Sequence, residues 1–196
     1  GGSDFVNGMV YPVGVSDVAY ACTYYTTNLY TIDHASLAWT SLGSYGSGSM
    51  QELTVDLNTD IIYATSGSSL YSIDPAGPTA TMIGSHGGGI TLMIGCACDG
   101  NGDLWAFDIV NDAFYSVDKT TGAATMIGSL GWNANYAQSM FYDMATDQVI
   151  LGGFNLNNFY TEIRAVDVTT GSSTILSSMY YVEVTGATLP VGGGST

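Results

Sequence analysis

At 196 residues the chain is long enough for one domain with a sizeable core and short for two. Its only basic residues, Lys119 and Arg164, stand against 17 acidic ones for a net charge of −15, a field that repels phosphate backbones and anionic lipid surfaces and argues against nucleic acid as a partner. Hydrophobic residues make up 46% of the chain, yet no run of about 18 apolar residues occurs, so no membrane insertion is expected.

Read in chain order, short β-branched and aromatic segments bounded by Gly, Asn, Asp and Ser recur throughout, and helical periodicity is nearly absent. They fall into sets of four, labelled A to D. The first set is "FVNGMVYP", "DVAYACTYY", "NLYTID" and "AWTSLGS", and the second is "MQELTVD", "IIYATSG", "SLYSID" and "TATMIGS". The third reads "MIGCACD", "DLWAFD", "AFYSVD" and "AATMIGS", and the fourth "AQSMFYD", "QVILGGF", "TEIRAVD" and "SSTILSS". The C strands end on Asp33, Asp74, Asp118 and Asp167, at intervals of 41, 44 and 49 residues. A strand repeat with a period in the forties predicts stacked blades, and four antiparallel strands per repeat predict an all-β propeller. The C–D connections "DPAGPT", "DKTTGA" and "DVTTGS" are turns in which Asp bonds the amides ahead of it and Gly supplies positive φ.

These repeats resemble bacterial secreted β-propeller repeats of the quinoprotein-like or YVTN-like kind, whose blades carry "LYxID…TGxxTxIG". The resemblance covers almost the whole chain, through "LYSIDPAGPTATMIG" and "FYSVDKTTGAATMIG", and weakens in the first and fourth copies. It implies a propeller, and propellers of this kind serve as binding platforms, structural modules and occasional enzymes. A bound quinone is not implied, because no basic or paired-cysteine constellation is present to hold one.

The expected organisation is one domain over 1–190, with blades at about 5–43, 50–86, 91–130 and 137–179, an extra C-terminal strand over 180–190, and a flexible tail or linker over 191–196. The extra strand rests on "VTGATLP", which repeats the A-strand pattern and makes five A strands against four sets of B, C and D. Three readings follow. The fifth A strand closes a four-bladed ring; or the chain is a piece of something larger; or the strand pairs with a neighbouring subunit through Tyr180, Tyr181, Val182 and Val184.

In a propeller the A–B and C–D turns share one face and the B–C and D–A turns the other. Asp17, Asp60, Asp103 and Asp147 make the first face acidic, and "DGNGDLW" places Asp99, Asn101 and Asp103 at alternate positions, a candidate calcium loop beside the simpler reading of an Asx turn. The second face collects Tyr45, Trp132, Asn133, Asn135, Tyr136, Asn157 and Asn158, aromatics beside amides that suit sugar rings or a protein interface, or are ordinary turns. Trp39 and Trp105 are expected in the core. Cys22, Cys96 and Cys98 read as small buried thiols or as one bridge from Cys22. With His34 and His86 on opposite faces and Glu52, Glu162 and Glu183 scattered, no catalytic constellation converges. The expected function is a non-catalytic, extracellular platform for carbohydrate or protein. The alternatives are a structural subunit of a surface assembly and a propeller-fold hydrolase or lyase.

Overall fold

A computed structural model describes residues 5–15, 17–46 and 48–189, apart from the side chains of Tyr136 and Ala137. The segment 191–196, expected to be a tail or linker, lies outside the described residues, as does Pro190.

The first blade comprises β1 (Val6–Val10), β2 (Val18–Thr23), β3 (Asn28–Asp33) and β4 (Trp39–Ser44). The second comprises β5 (Glu52–Val55), β6 (Ile62–Ser66), β7 (Ser69–Asp74) and β8 (Thr79–Ser85). The third is β9 (Met93–Cys98), β10 (Leu104–Asp108), β11 (Ala113–Val117) and β12 (Ala124–Ser129); the fourth is β13 (Ala134–Asp143), β14 (Gln148–Asn155), β15 (Tyr160–Val166) and β16 (Ser173–Tyr180). Each sheet is an antiparallel meander in sequence order, and the four form a β-propeller ring with β1, β5, β9 and β13 innermost. No described helix is long and apolar enough to cross a membrane.

Burial follows radial position. The inner strand β5 is buried on both faces, whereas the outermost β16 is exposed along nearly its whole length. Trp39, expected in the core, is 46% exposed because it begins the outer strand β4, where its ring meets that of Tyr30 edge to face. Trp105, also expected in the core, is half-buried, packed against the seam between the third and fourth blades and stacked on Phe114. Each seam between consecutive blades has its own apolar core: Leu29 and Leu53 between the first two, Leu70 and Leu104 between the next, Phe114 and Leu151 between the third and fourth. The three cysteines are buried free thiols. Burial raises the pKa of Cys96, and that of Cys98 to about 12, so both are unreactive packing groups.

The repeated glycine of "IGS" has a physical cause. In β8, a Cβ on Gly84 would lie 2.0 Å from the carbonyl oxygen of Thr121, in the turn of the next blade; in β12, one on Gly128 would lie 2.1 Å from that of Thr170. The C–D turn of each following blade therefore crosses the outer strand at van der Waals distance from its backbone. The aspartates act as the sequence predicts: Asp33, Asp74, Asp118 and Asp167 accept the amides of Ser36, Ala76, Thr120 and Thr169. Gly122 and Gly171 supply positive φ in the third and fourth blades; Leu37 takes that conformation in the first.

The seam between the fourth and first blades is built differently. Ser177 pairs with Ile163 where Gly84 and Gly128 pair with Leu70 and Phe114, so the close-crossing glycine is replaced. The C-terminal segment 182–189 enters the ring instead. Thr161 Oγ1 donates to the carbonyl of Val182, Val184 packs toward Gly152, and Gly186 faces Val6 and Met9 of β1. The Ala187 amide donates to Ser139 Oγ at 2.8 Å. This is the surplus A segment, seated on its own chain between β13 and β1 and held there by side chains without a strand ladder.

At the waist of the ring lies Glu52, fully buried. Its carboxylate accepts Ser139 Oγ at 2.8 Å and the amide of Met140 at 3.0 Å across the ring, and the amide of Leu53 beside it. Burial pushes its pKa well above the ordinary carboxylate range, against those hydrogen bonds. Ser139 thus couples Glu52 to Ala187, so the waist is a joint between the second blade, the fourth blade and the C-terminal segment.

Candidate functional site

Above this waist, on the face where the B–C and D–A connections emerge, the ring opens into a cavity of about 490 Å³. On the axis below, at the acidic face, a slot of about 30 Å³ is lined in part by the C-terminal segment, through Thr188 and Leu189. The upper cavity has the size of small-molecule sites, and residues from all four blades or their flanking connections line it.

Three chemistries meet there. Phe5, ahead of β1, and Tyr24 and Tyr25, in the β2–β3 turn, form an exposed aromatic rim; Tyr24 and Tyr25 meet edge to face with centroids 4.9 Å apart, and Phe5 lies 6.1 Å from Tyr25. Leu92, Ile94 and Ile109, from the third blade, supply an apolar wall. The polar lining is Asn7, Gln51, Asn135 and Gln138 together with Glu183 and Thr185 of the C-terminal segment. Asn7 Nδ2 donates to Met50 O, and Gln51 Oε1 accepts the Gly67 amide at 2.6 Å, so the amides are anchored and do not swing freely.

Of the aromatics and amides assigned from sequence whose side chains are described, Asn135 alone lines this cavity. Tyr45 and Trp132, expected as presented surfaces, are buried. Tyr45 folds back into the seam between the first two blades, its hydroxyl 3.4 Å from Thr23 O. Trp132 lies in the next-to-last seam, beneath the guanidinium of Arg164 at 4.8 Å. For Trp132 the reason is length: the connection from β12 is short, because β13 already begins at Ala134 and absorbs the extra residues in a register slip between Asn135 and Ser139. Asn133 is exposed; Tyr136 belongs to β13, with its side chain outside the described set. Asn157 and Asn158 are exposed in the β14–β15 turn, where Asn158 Nδ2 donates to Glu162 Oε1 at 2.7 Å.

Both basic residues are structural. Arg164 Nη2 and Nε hold Glu162 Oε2 at 2.5 and 2.8 Å. Burial works against ionised Glu162, but its bonds to Asn158, Arg164 and Asn155 hold the pKa below the ordinary value. Lys119, in the C–D turn of the third blade, reaches Asp56 Oδ2 at 2.6 Å and the carbonyl of Gly102, tying the second blade to the third.

The candidate calcium loop resolves as an Asx turn. Asp99 Oδ1 accepts the amides of Asn101 and Asp103, and Oδ2 accepts Trp105 Nε1 at 2.9 Å, so its carboxylate faces three N–H donors. Asn101 and Asp103 are exposed, and among the described residues no three His, Cys, Asp or Glu gather as metal ligands. The assembly candidates divide: Tyr180 and Tyr181 are exposed, with Tyr181 stacked on Phe159, while Val182 and Val184 belong to the segment seated on the chain's own ring. Tyr24 and Tyr25 sit in "YYTTN", a β2–β3 (B–C) turn and therefore on this face; Phe5, Asn7, Gln51, Gln138, Glu183 and Thr185 carry no sequence signal as a group, because seven separate segments bring the lining together.

No family model matches the chain, and no curated protein matches it. Among solved structures it is similar to a protein of unknown function from Bacteroides thetaiotaomicron, with a TM-score of 0.64 and 16% identity over 89% of this chain and 46% of that one. It is similar to an auxiliary nutrient binding protein from the same organism, with a TM-score of 0.63 and 12% identity over 91% of this chain and 43% of that one. It also matches a chain of a nidogen/laminin complex, with a TM-score of 0.65 and 11% identity over 94% of this chain and 84% of that one. The chain thus spans less than half the length of the two Bacteroides proteins. At such identities the likeness is one of fold alone.

Proposed function

We propose that the chain is a non-catalytic, extracellular binding module that takes a carbohydrate in the upper cavity. The observation that carries this reading is the meeting, at one axial mouth of about 490 Å³, of the aromatic rim with anchored amides and an apolar wall. Aromatic faces cover the C–H side of a sugar ring while amides and carboxylates serve its hydroxyls. An extracellular setting is supported by composition: two basic residues in 196 leave almost no trypsin-type cleavage sites. The non-catalytic reading is supported by the lining, which among the described residues offers one carboxylate, Glu183, where glycosidic cleavage generally uses a pair. Glu52, the carboxyl with the strongly raised pKa, is sealed at the waist.

The test is a glycan array followed by calorimetric titration of the hits against the parent protein and Tyr25→Ala. Tyr25 is 67% exposed, so its removal leaves the fold intact, and the expected loss is about tenfold or more in affinity. Array hits whose affinity is indifferent to Tyr25 would overturn the assignment to this cavity.

A second reading, a subunit of an extracellular assembly, is favoured by the exposed aromatics Tyr160, Tyr180 and Tyr181 with Phe159 beside the unpaired edge of β16. Light scattering decides it: multiples of the 20.4 kDa chain that collapse to monomer on Tyr180→Lys would support the assembly.

A further inference from the structure

Within that carbohydrate reading, on which this inference rests, we propose that the ligand is an amino sugar, bound through a protonated amine. Three observations converge on a cation. The acidic residue of the described lining is Glu183, and neither basic residue of the chain lines the cavity. Lys119 and Arg164 are each committed to a carboxylate elsewhere, at 2.6 and 2.5 Å, so they do not offset the field of a chain with net charge −15. The rim holds three exposed rings, and an ammonium group over the faces of Phe and Tyr is attracted by their quadrupoles. A ligand bearing an ammonium group complements this lining, whereas a uronate or sulfated sugar meets repulsion from Glu183 and from the chain as a whole.

The experiment titrates the parent protein with a glucosamine trimer and with its fully N-acetylated counterpart, at pH 6.5 and in 50 and 300 mM salt, and repeats both with Glu183→Gln and Tyr25→Ala. Glu183 is exposed and Glu183→Gln is nearly isosteric, so folding is not at issue. The free-amine trimer is expected to bind about tenfold more tightly than the N-acetylated one. Glu183→Gln is expected to weaken the free-amine trimer by about fivefold, leaving the N-acetylated one unchanged. Equal binding of the two trimers, both lost on Tyr25→Ala, would overturn the amine and keep the carbohydrate site. Binding of the free-amine trimer that disappears at 300 mM salt and ignores both substitutions would overturn the inference as diffuse attraction to an acidic surface. Binding of neither trimer would overturn the inference, and the array result would then decide the wider reading separately.

Discussion

Gly84→Ala tests the interlock between blades. The added methyl carbon would stand 2.0 Å from the Thr121 carbonyl oxygen, and since real Cβ contacts stay beyond 3.0 Å, the turn or the strand must retreat by about 1 Å. That obstacle is backbone, anchored by the Asp118 bonds to Thr120 and by the bond from the Gly122 amide to the Asp118 carbonyl, so it cannot swing away as a side chain would. Overpacking of this kind costs about 1–3 kcal/mol. The loss of unfolded-chain freedom on replacing Gly by Ala returns about 0.5 kcal/mol. The net loss is about 0.5–2.5 kcal/mol, and at about 2–4 °C per kcal/mol for a domain of this size the melting temperature should fall by about 1–10 °C. Differential scanning calorimetry reads it directly. Gly77→Ala is the internal control, because a Cβ there meets nothing within 4 Å, and it should stay within about 0.5 kcal/mol of the parent. A Gly84→Ala protein that melts within 1 °C of the parent would refute the close crossing, and with it the account of why glycine recurs in "IGS".

Lys119→Met leaves the Asp56 carboxylate, 1% exposed, without its cation and should cost about 3 kcal/mol in urea unfolding, with Asp56→Asn in the same chain recovering more than half; a loss below 1 kcal/mol would show that the pair does not fasten the second blade to the third. Burial holds the His86 imidazole below its ordinary 6.5, with Nδ1 2.9 Å from Gly122 O. Below pH 6.5 the unfolded chain therefore takes up a proton that the folded chain resists, so the contribution of His86 is complete above 6.5 and is lost as pH falls through 6.5 toward the lower folded value. His86→Gln should abolish that part of the stability decline between pH 7 and 5, and parallel profiles of parent and variant would refute it. Glu52 runs the other way: its pKa is raised, so its contribution is complete below 4.5 and is lost as pH rises through the folded value, which is why each histidine comparison is made at matched pH.

The blades were decided locally, and so could be read from the chain. Asp33, Asp74, Asp118 and Asp167 bond amides two or three residues ahead, and such turns depend on nothing beyond their own sequence. The spacing of those turns and the strand chemistry between them prescribe four meanders, and the fifth A-like segment announced an extra element at the ring's closure. The tertiary structure alone decided what faces what. Trp132 and Tyr45 lie in segments that look like surface turns, but their rings turn inward because the seams have room for them and solvent offers them nothing. Trp39 has the local pattern of a core residue and is exposed because its strand is outermost. Glu52 becomes a sealed joint only when Ser139 and Met140, 87 and 88 residues away, arrive beside it. The cavity likewise joins Phe5 to Glu183, near opposite ends of the chain. Hydrogen bonds within a turn are set by neighbours in sequence; burial, field and cavity are set by neighbours in space, which only ring closure supplies.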